Sequence, residues 1–112
     1  PVKTREEIEA MLAQLGIPFR YYMFEEKEAV EPPFMVWYLP ESENFYADGI
    51  VYFQKCRMNL ELYTDSKDFA LEQQVEQVLR TAEFTWNKTE DYLEDEEMYE
   101  VLYEMEVLMY GE

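Results

Sequence analysis

The sequence contains no histidine and, among its 112 residues, only three glycines and one cysteine. Histidine is the commonest general base and metal ligand in proteins, so catalytic triads and zinc sites of ordinary composition are excluded. Three widely separated glycines cannot form the glycine-rich loop that holds phosphates in nucleotide-binding proteins. We therefore expect no catalytic residues, no cofactor and no metal site, and a protein that is not an enzyme.

Basic residues are also scarce, because 9 Lys and Arg stand against 26 Asp and Glu and give a formal net charge of -17. Such a chain repels nucleic acid phosphates and anionic lipid, so we expect its partners to be proteins or cations. Apolar residues nevertheless make up 48% of the chain and aromatic residues 17%, far above the content of a disordered acidic chain. The length fits one folded domain spanning residues 1–112.

The sequence has no uncharged apolar run approaching the roughly 18 residues that a membrane-spanning helix needs. Its N-terminus also lacks the basic-then-apolar layout of a secretory signal, so we expect a cytoplasmic protein that does not bind membranes. The single Cys56 cannot form an internal disulfide, and its place in an alternating pattern favours a buried, unreactive thiol.

Two segments have the apolar spacing of amphipathic helices. Residues 4–15 begin with Thr4 and Glu7 in the T-x-x-E pattern of a capping box. The second helix is predicted to begin at Asp65 or Ser66 and to run to about Ala82. We expect three polar residues of this helix to face water: Glu72, Gln73 and Glu76.

Strands are predicted at residues 19–24, 34–39, 50–63 and 84–88, from aromatic content, apolar runs or alternation. Fourteen extended residues at 50–63 would span roughly 45 Å, so this strand is expected to bend, bulge or project. Loops are predicted at residues 40–49, with an Asp-Gly turn at the end, and at residues 89–97, an acidic turn or sheet edge.

Residues 98–110 fit two periods, because alternate residues form one apolar face and residues at helical spacing form another. Aromatic and β-branched content favours the strand. The element order is then α-β-β-β-α-β-β, which predicts an α+β fold with two helices packed on one face of a largely antiparallel sheet.

Four segments carry a resemblance to a known family: KTREEIEAML near the start, PPFMVWYLPESENFYADGIVYF at residues 32–53, ELYTDSKD at residues 61–68 and YEVLYEMEVL at residues 99–108. Together they resemble the small neck or tail-completion proteins of long-tailed phages and prophages, of the tail-terminator kind. The resemblance spans nearly the whole chain, although it rests on pattern and order more than on a diagnostic motif. It implies a virion structural protein without catalytic residues, made in the host cytoplasm and placed at the head-tail joint.

The resemblance also implies a ring, expected to be a hexamer, that contacts other tail or neck proteins and leaves a channel for DNA. An acidic wall would repel passing phosphates, so DNA would pass without specific binding. The candidate residues for the acidic channel or partner surface are Glu25, Glu26, Glu28, Glu31, Asp91, Glu94, Asp95, Glu96 and Glu97.

A closed head-to-tail ring needs two different complementary patches on each subunit, and strand addition at a sheet edge can supply them. The candidate subunit interface is the polar face of the long strand: Lys55, Arg57, Asn59 and Glu61. Lys55 and Arg57 could meet acidic residues of a neighbouring subunit. Alternatively, they balance charge on their own sheet.

Two other interpretations of the acidic residues remain open. The chain could be a DNA mimic that inhibits a host DNA-binding protein, with carboxylates spaced like phosphates. The acidic run at residues 94–97 could hold Ca²⁺ or Mg²⁺, but it lacks the alternating ligands and central glycine of an EF-hand loop. A solvated acidic face is the favoured interpretation of this run.

Overall fold

A computed structural model describes the backbone at residues 1–47 and 51–110 and the side chains of these ranges outside residues 44–52. The predicted Asp-Gly turn falls on residues 48–49, which lie outside the described residues. In chain order the elements are β1 Val2–Lys3, α1 Arg5–Ala13, β2 Phe19–Tyr21, a 3-10 turn at Glu26–Glu28, β3 Phe34–Ala47, β4 Val51–Thr64, α2 Phe69–Thr81, β5 Trp86–Leu93 and β6 Met98–Tyr110.

The first helix begins at a capping box, as predicted. The Thr4 hydroxyl accepts a hydrogen bond from the Glu7 amide at 3.1 Å, and the Glu7 carboxylate accepts one from the Thr4 amide at 2.8 Å. These two bonds satisfy amides that have no partner inside the helix. The helix ends at Ala13, and the chain turns at Gly16, whose φ of 70° is a conformation that glycine adopts without strain.

The sheet is mixed and six-stranded, in the order β1-β6-β4-β3-β2, with β5 on the same side of β6 as β1. The three long strands β3, β4 and β6 pair antiparallel, and β5 pairs antiparallel with β6. The two short strands pair in parallel, β1 with the end of β6 and β2 with the start of β3. Every long-strand pairing is therefore antiparallel, and the parallel pairs are confined to two- and three-residue strands.

Strand β3 continues past Pro40 to Ala47, and a β-bulge at Leu39 and Pro40 accommodates the proline. The register moves from Tyr38 opposite Asn59 to Glu41 opposite Arg57, so β3 holds one extra residue there. Proline has no amide hydrogen for the ladder, and a bulge is one of the places where a strand tolerates it. The loop predicted at residues 40–49 is therefore wrong over residues 40–47, which are strand.

Strand β6 has the period of two that its composition favoured, and the helical alternative is wrong. Alternate residues from Val101 to Met109 are buried, while Glu104 and Glu106 face the other side. The buried residues of β6 form one core with alternate residues of β3 and β4 and with residues of both helices, including Ile8 and Leu79. The opposite side of the three long strands, named here the open face, carries their remaining side chains.

The second helix begins later than predicted. Asp68 is its N-cap, and the Asp68 carboxylate accepts a hydrogen bond from the Leu71 amide at 3.0 Å. Glu72, which was expected to face water, is only 2% exposed. This prediction is wrong because β5 runs beside α2 and supplies Lys88, a cation that a helical wheel cannot show.

The predicted fold class, an α+β domain with two helices on one face of a largely antiparallel sheet in the order α-β-β-β-α-β-β, is wrong. Strand residues outnumber helical residues about two to one, and the sheet is a curled mixed sheet of six strands. The observed order is β-α-β-β-β-α-β-β, leaving the short 3-10 turn aside. The error arose because a two-residue strand has no periodicity to detect, and because residues 40–47 and 89–93 were assigned to loops.

Candidate functional site

Besides the outer sides of the short strands β1 and β2, two longer stretches of sheet edge are unpaired within the described part of the chain, and they lie on opposite sides of the sheet. The first, named here the β3 edge, comprises residues 41–47, since β2 pairs only with Met35 to Trp37. The second, the β5 edge, is the outer side of Trp86–Leu93, whose inner side pairs with β6. Unpaired edges present rows of free amide and carbonyl groups to another strand.

Both edges are polar. Glu41, Ser42 and Glu43 are exposed at the β3 edge, and the six inner residues of β5 are all exposed. Charged residues on an edge strand discourage indiscriminate pairing, so pairing here would require charge screening or a matched partner. The molecule is also elongated, with principal extents of 50 × 30 × 22 Å.

The predicted interface residues lie together on the open face of β4, and the two cations among them have partners in their own chain. Lys55 lies 4.0 Å from Glu106. Arg57 lies 3.1 Å from Glu104 and 3.7 Å from Glu41. These pairs match the alternative in which Lys55 and Arg57 balance charge on their own sheet. That the set forms a subunit interface stays a prediction.

Asn59 and Glu61, the other two members, belong to a hydrogen-bonded group with Tyr38 of the neighbouring strand β3 and Tyr63 of their own strand. The Tyr38 hydroxyl donates to Glu61 Oε2 at 2.8 Å and accepts from Asn59 Nδ2 at 3.3 Å. The Tyr63 hydroxyl lies 2.6 Å from Glu61 Oε1 and 2.8 Å from Glu100 Oε2. Burial, together with these carboxylates, raises the pKa of both phenols, so they stay protonated at neutral pH.

The predicted acidic surface divides into two groups that follow the two outer strands of the sheet. Three of its residues, Glu25, Glu26 and Glu28, lie at the 3-10 turn after β2, with Glu31 just beyond it. Asp91 lies on β5, and Glu94, Asp95, Glu96 and Glu97 form the turn between β5 and β6. Of these, Glu28 is neutralised by Arg20 at 2.8 Å, and Glu25 lies 3.2 Å from Lys27.

The sequence analysis did not predict an ionic network between α2 and β5 that is centred on the buried carboxylate of Glu72. Glu72 lies 2.5 Å from Lys67 and 2.8 Å from Lys88. Lys67 also pairs with Glu90, and Lys88 lies 2.7 Å from Glu76. The Tyr103 hydroxyl donates to Glu76 Oε2 at 2.9 Å. The one sequence feature that could have indicated this network is the spacing of Lys88 and Glu90, which lie two residues apart on one strand face.

Burial raises the pKa of Glu72, but hydrogen bonds from Lys67 and Lys88 outweigh burial, and the net pKa is lowered. Burial likewise lowers the pKa of Lys67, whereas its bonds to Glu72 and Glu90 raise it, and the net pKa is raised. The pKa of Lys88 shifts in the same way: burial lowers it, its bonds to Glu72 and Glu76 raise it, and the net pKa is raised. Glu72, Lys67 and Lys88 therefore hold their charged forms in the folded chain. The network fixes α2 to the sheet.

Reactive groups are few in the described residues. Cys56 is buried, and burial raises the pKa of its thiol, so it has the unreactive character predicted for it. No cluster of three or more metal-ligating side chains occurs within residues 1–47 and 51–110. No helix in this part of the chain is long and apolar enough to cross a membrane.

No family model matches the chain, and no curated protein matches it.

Proposed function

We propose that this chain is a virion structural protein of a long-tailed phage, a tail-terminator or tail-completion subunit that assembles as a ring at the head-tail joint. The observation that carries the proposal is the pair of unpaired edges on opposite sides of one sheet, the β3 edge and the β5 edge. The phage assignment itself comes from the resemblance of the sequence segments quoted above.

Two different edges on opposite sides of a subunit permit head-to-tail pairing, in which the β3 edge of one copy meets the β5 edge of the next. Repetition of this contact closes into a ring when the rotation per subunit allows it. The edges are similar in length, with seven residues at the β3 edge and eight in β5. Main-chain hydrogen bonds between them require no particular side chains, which suits two polar edges.

The acidic surface would let DNA pass through such a ring without binding to it. A hexamer would carry a formal charge of -102, six times the -17 of one chain. Carboxylates along a channel repel phosphates, so DNA would pass without adhering. The residues proposed for this wall are those of the turn between β5 and β6, because the other acidic group is partly neutralised by Arg20 and Lys27.

The proposed protein acts through contacts with copies of itself and with other tail or neck proteins, without catalysis or a cofactor. It would be made in the host cytoplasm and then held in the virion. Direct membrane contact is not part of this role.

Light scattering of the purified chain, alone and mixed with purified tail tubes, tests the proposal. We expect rings, or caps at one end of each tube under the electron microscope. The DNA-mimic alternative would instead be favoured if the chain stays monomeric or dimeric, does not bind tail tubes and inhibits DNA-binding enzymes.

A second experiment tests the acidic wall within phage particles. Replacing Glu94, Asp95, Glu96 and Glu97 by Gln or Asn should slow or trap DNA during ejection while particles still assemble. Ejection at the wild-type rate would remove the proposed role of these carboxylates.

A further inference from the structure

The open face is divided by charge into two halves. At the half near the β3 edge, Lys55 and Arg57 pair with Glu41, Glu104 and Glu106. At the other half lie Glu61 and Glu100, and neither has a cation within ion-pair distance among the described residues. Asp91 stands directly opposite Glu100 on β5, which adds negative potential there. The negative charge without a paired cation is therefore confined to the half of the open face that holds Glu61 and Glu100.

Hydrogen-bond acceptors outnumber donors in this half. The Tyr63 hydroxyl has one hydrogen, yet carboxylate oxygens of Glu61 and Glu100 lie 2.6 and 2.8 Å from it. One of these two oxygens is thus left without a donor from Tyr63. Independently, the Asn59 side-chain oxygen is buried and accepts no hydrogen bond in the described part of the chain. A buried acceptor without a donor is costly, so the Asn59 oxygen marks a hydrogen bond that the described residues leave unmade.

Aromatic rings border this acceptor-rich group. Tyr22 packs on Tyr38 with ring centroids 5.3 Å apart. Phe34 stacks on Tyr63 at 4.9 Å and meets the edge of Phe24 at 5.3 Å. Tyr22 is 64% exposed, so its ring is accessible to a partner. Aromatic faces beside carboxylates attract cations, and the planar guanidinium of arginine above all.

We infer that this part of the open face, named here the acceptor surface and formed by Tyr38, Asn59, Glu61, Tyr63 and Glu100, binds an arginine-bearing segment of a partner protein. A guanidinium supplies five N–H donors in a plane, which suits a surface where hydrogen-bond acceptors outnumber donors and aromatic rings lie beside them. Nucleic acid and anionic lipid carry the wrong charge. A second copy is a poor source, since the whole chain has only nine basic residues. The inference does not depend on ring assembly.

Titration with a six-residue peptide of alternating arginine and glycine, followed by backbone amide NMR shifts, tests this inference. The variant Glu61→Gln/Glu100→Gln removes both carboxylates, and its matched control, Glu94→Gln/Glu96→Gln, removes the same charge from the acidic turn. We expect the first variant to weaken peptide binding about tenfold and the control by less than about twofold. Equal losses in both variants would mean nonspecific attraction and would overturn the inference.

The wild-type chain provides a readout that does not depend on whether a variant folds. Peptide-induced shifts should centre on the amides of residues 59–63 and 100. Shifts centred on residues 94–97 would contradict the assignment. A rise in mass of the chain itself on peptide addition, measured by light scattering, would point to cross-linking of copies and would also overturn it.

Discussion

The Lys88 ammonium on β5 lies 2.8 Å from a Glu72 carboxylate oxygen on α2, and the Glu72 side chain is only 3% exposed. The residues are sixteen positions apart in sequence, and their contact joins the second helix to an outer strand of the sheet. Lys67 approaches the same carboxylate from the segment before α2, so two cations share one buried anion. Buried charges persist in proteins when they are paired with opposite charges, as Glu72 is here.

Replacing Glu72 by Gln should destabilise the chain strongly. Two partly exposed lysines would then lose the buried anion between them, and losing interactions with a charged group typically costs about 1.5–3 kcal/mol. Urea denaturation measures the change in the free energy of unfolding. Gln73→Ala, at the neighbouring exposed position, is the matched control and should change stability by less than about 0.5 kcal/mol. Equal effects would mean that the network contributes little.

The contribution of Glu72 should depend on pH in one direction. Its folded pKa lies below the ordinary value of 4.5, so its stabilisation is present above pH 4.5 and is lost as pH falls through the folded pKa. Acid also relieves the repulsion among other carboxylates. The informative quantity is therefore the difference in the free energy of unfolding between wild type and Glu72→Gln. This difference should shrink as the pH is lowered below 4.5. A difference independent of pH would contradict the charged state of Glu72.

Local signals in the sequence predicted several elements correctly. The Thr4 and Glu7 capping box forms as the residue types require, because it needs only contacts three residues apart. The strand at residues 98–110 also follows from composition, since alternate burial satisfies a half-exposed sheet. Both features depend on residues close together in sequence.

The errors have a common physical origin in contacts between distant residues. Glu72 looked like a solvent-facing helical residue, and its burial depends on Lys88, which sequence pattern cannot place beside it. Residues 40–47 contain proline and polar side chains, yet they are strand because the long partner β4 supplies the ladder. Likewise, the candidate interface at Lys55 and Arg57 could be placed on one strand face, but their cross-strand pairing with Glu104 and Glu106 could not be foreseen.

Self-association of the chain should strengthen as salt is added. Each copy carries a formal charge of -17, and both free edges bear carboxylates, so copies repel one another at low ionic strength. The screening length falls from about 10 Å at 0.1 M salt to about 3 Å at 1 M, which removes most of this repulsion while leaving main-chain hydrogen bonding between edges. Sedimentation velocity across this range measures the effect. Association that weakens with salt would instead indicate ion pairs as the main contact.

Disulfide trapping of Glu43→Cys/Asn87→Cys tests head-to-tail pairing most directly, because it places one thiol at the β3 edge and one at the β5 edge of each copy, both on the open face. Three strand spacings, about 14 Å, separate these edges within a chain, too far for an internal disulfide. The native Cys56 is buried and should not interfere. On oxidation we expect denaturing electrophoresis to show a ladder of covalent oligomers ending in one closed species, and each single variant should run mainly as the single chain. A dimer formed as readily by Glu43→Cys alone, or no cross-linking by the double variant in high salt, would contradict head-to-tail pairing of these edges.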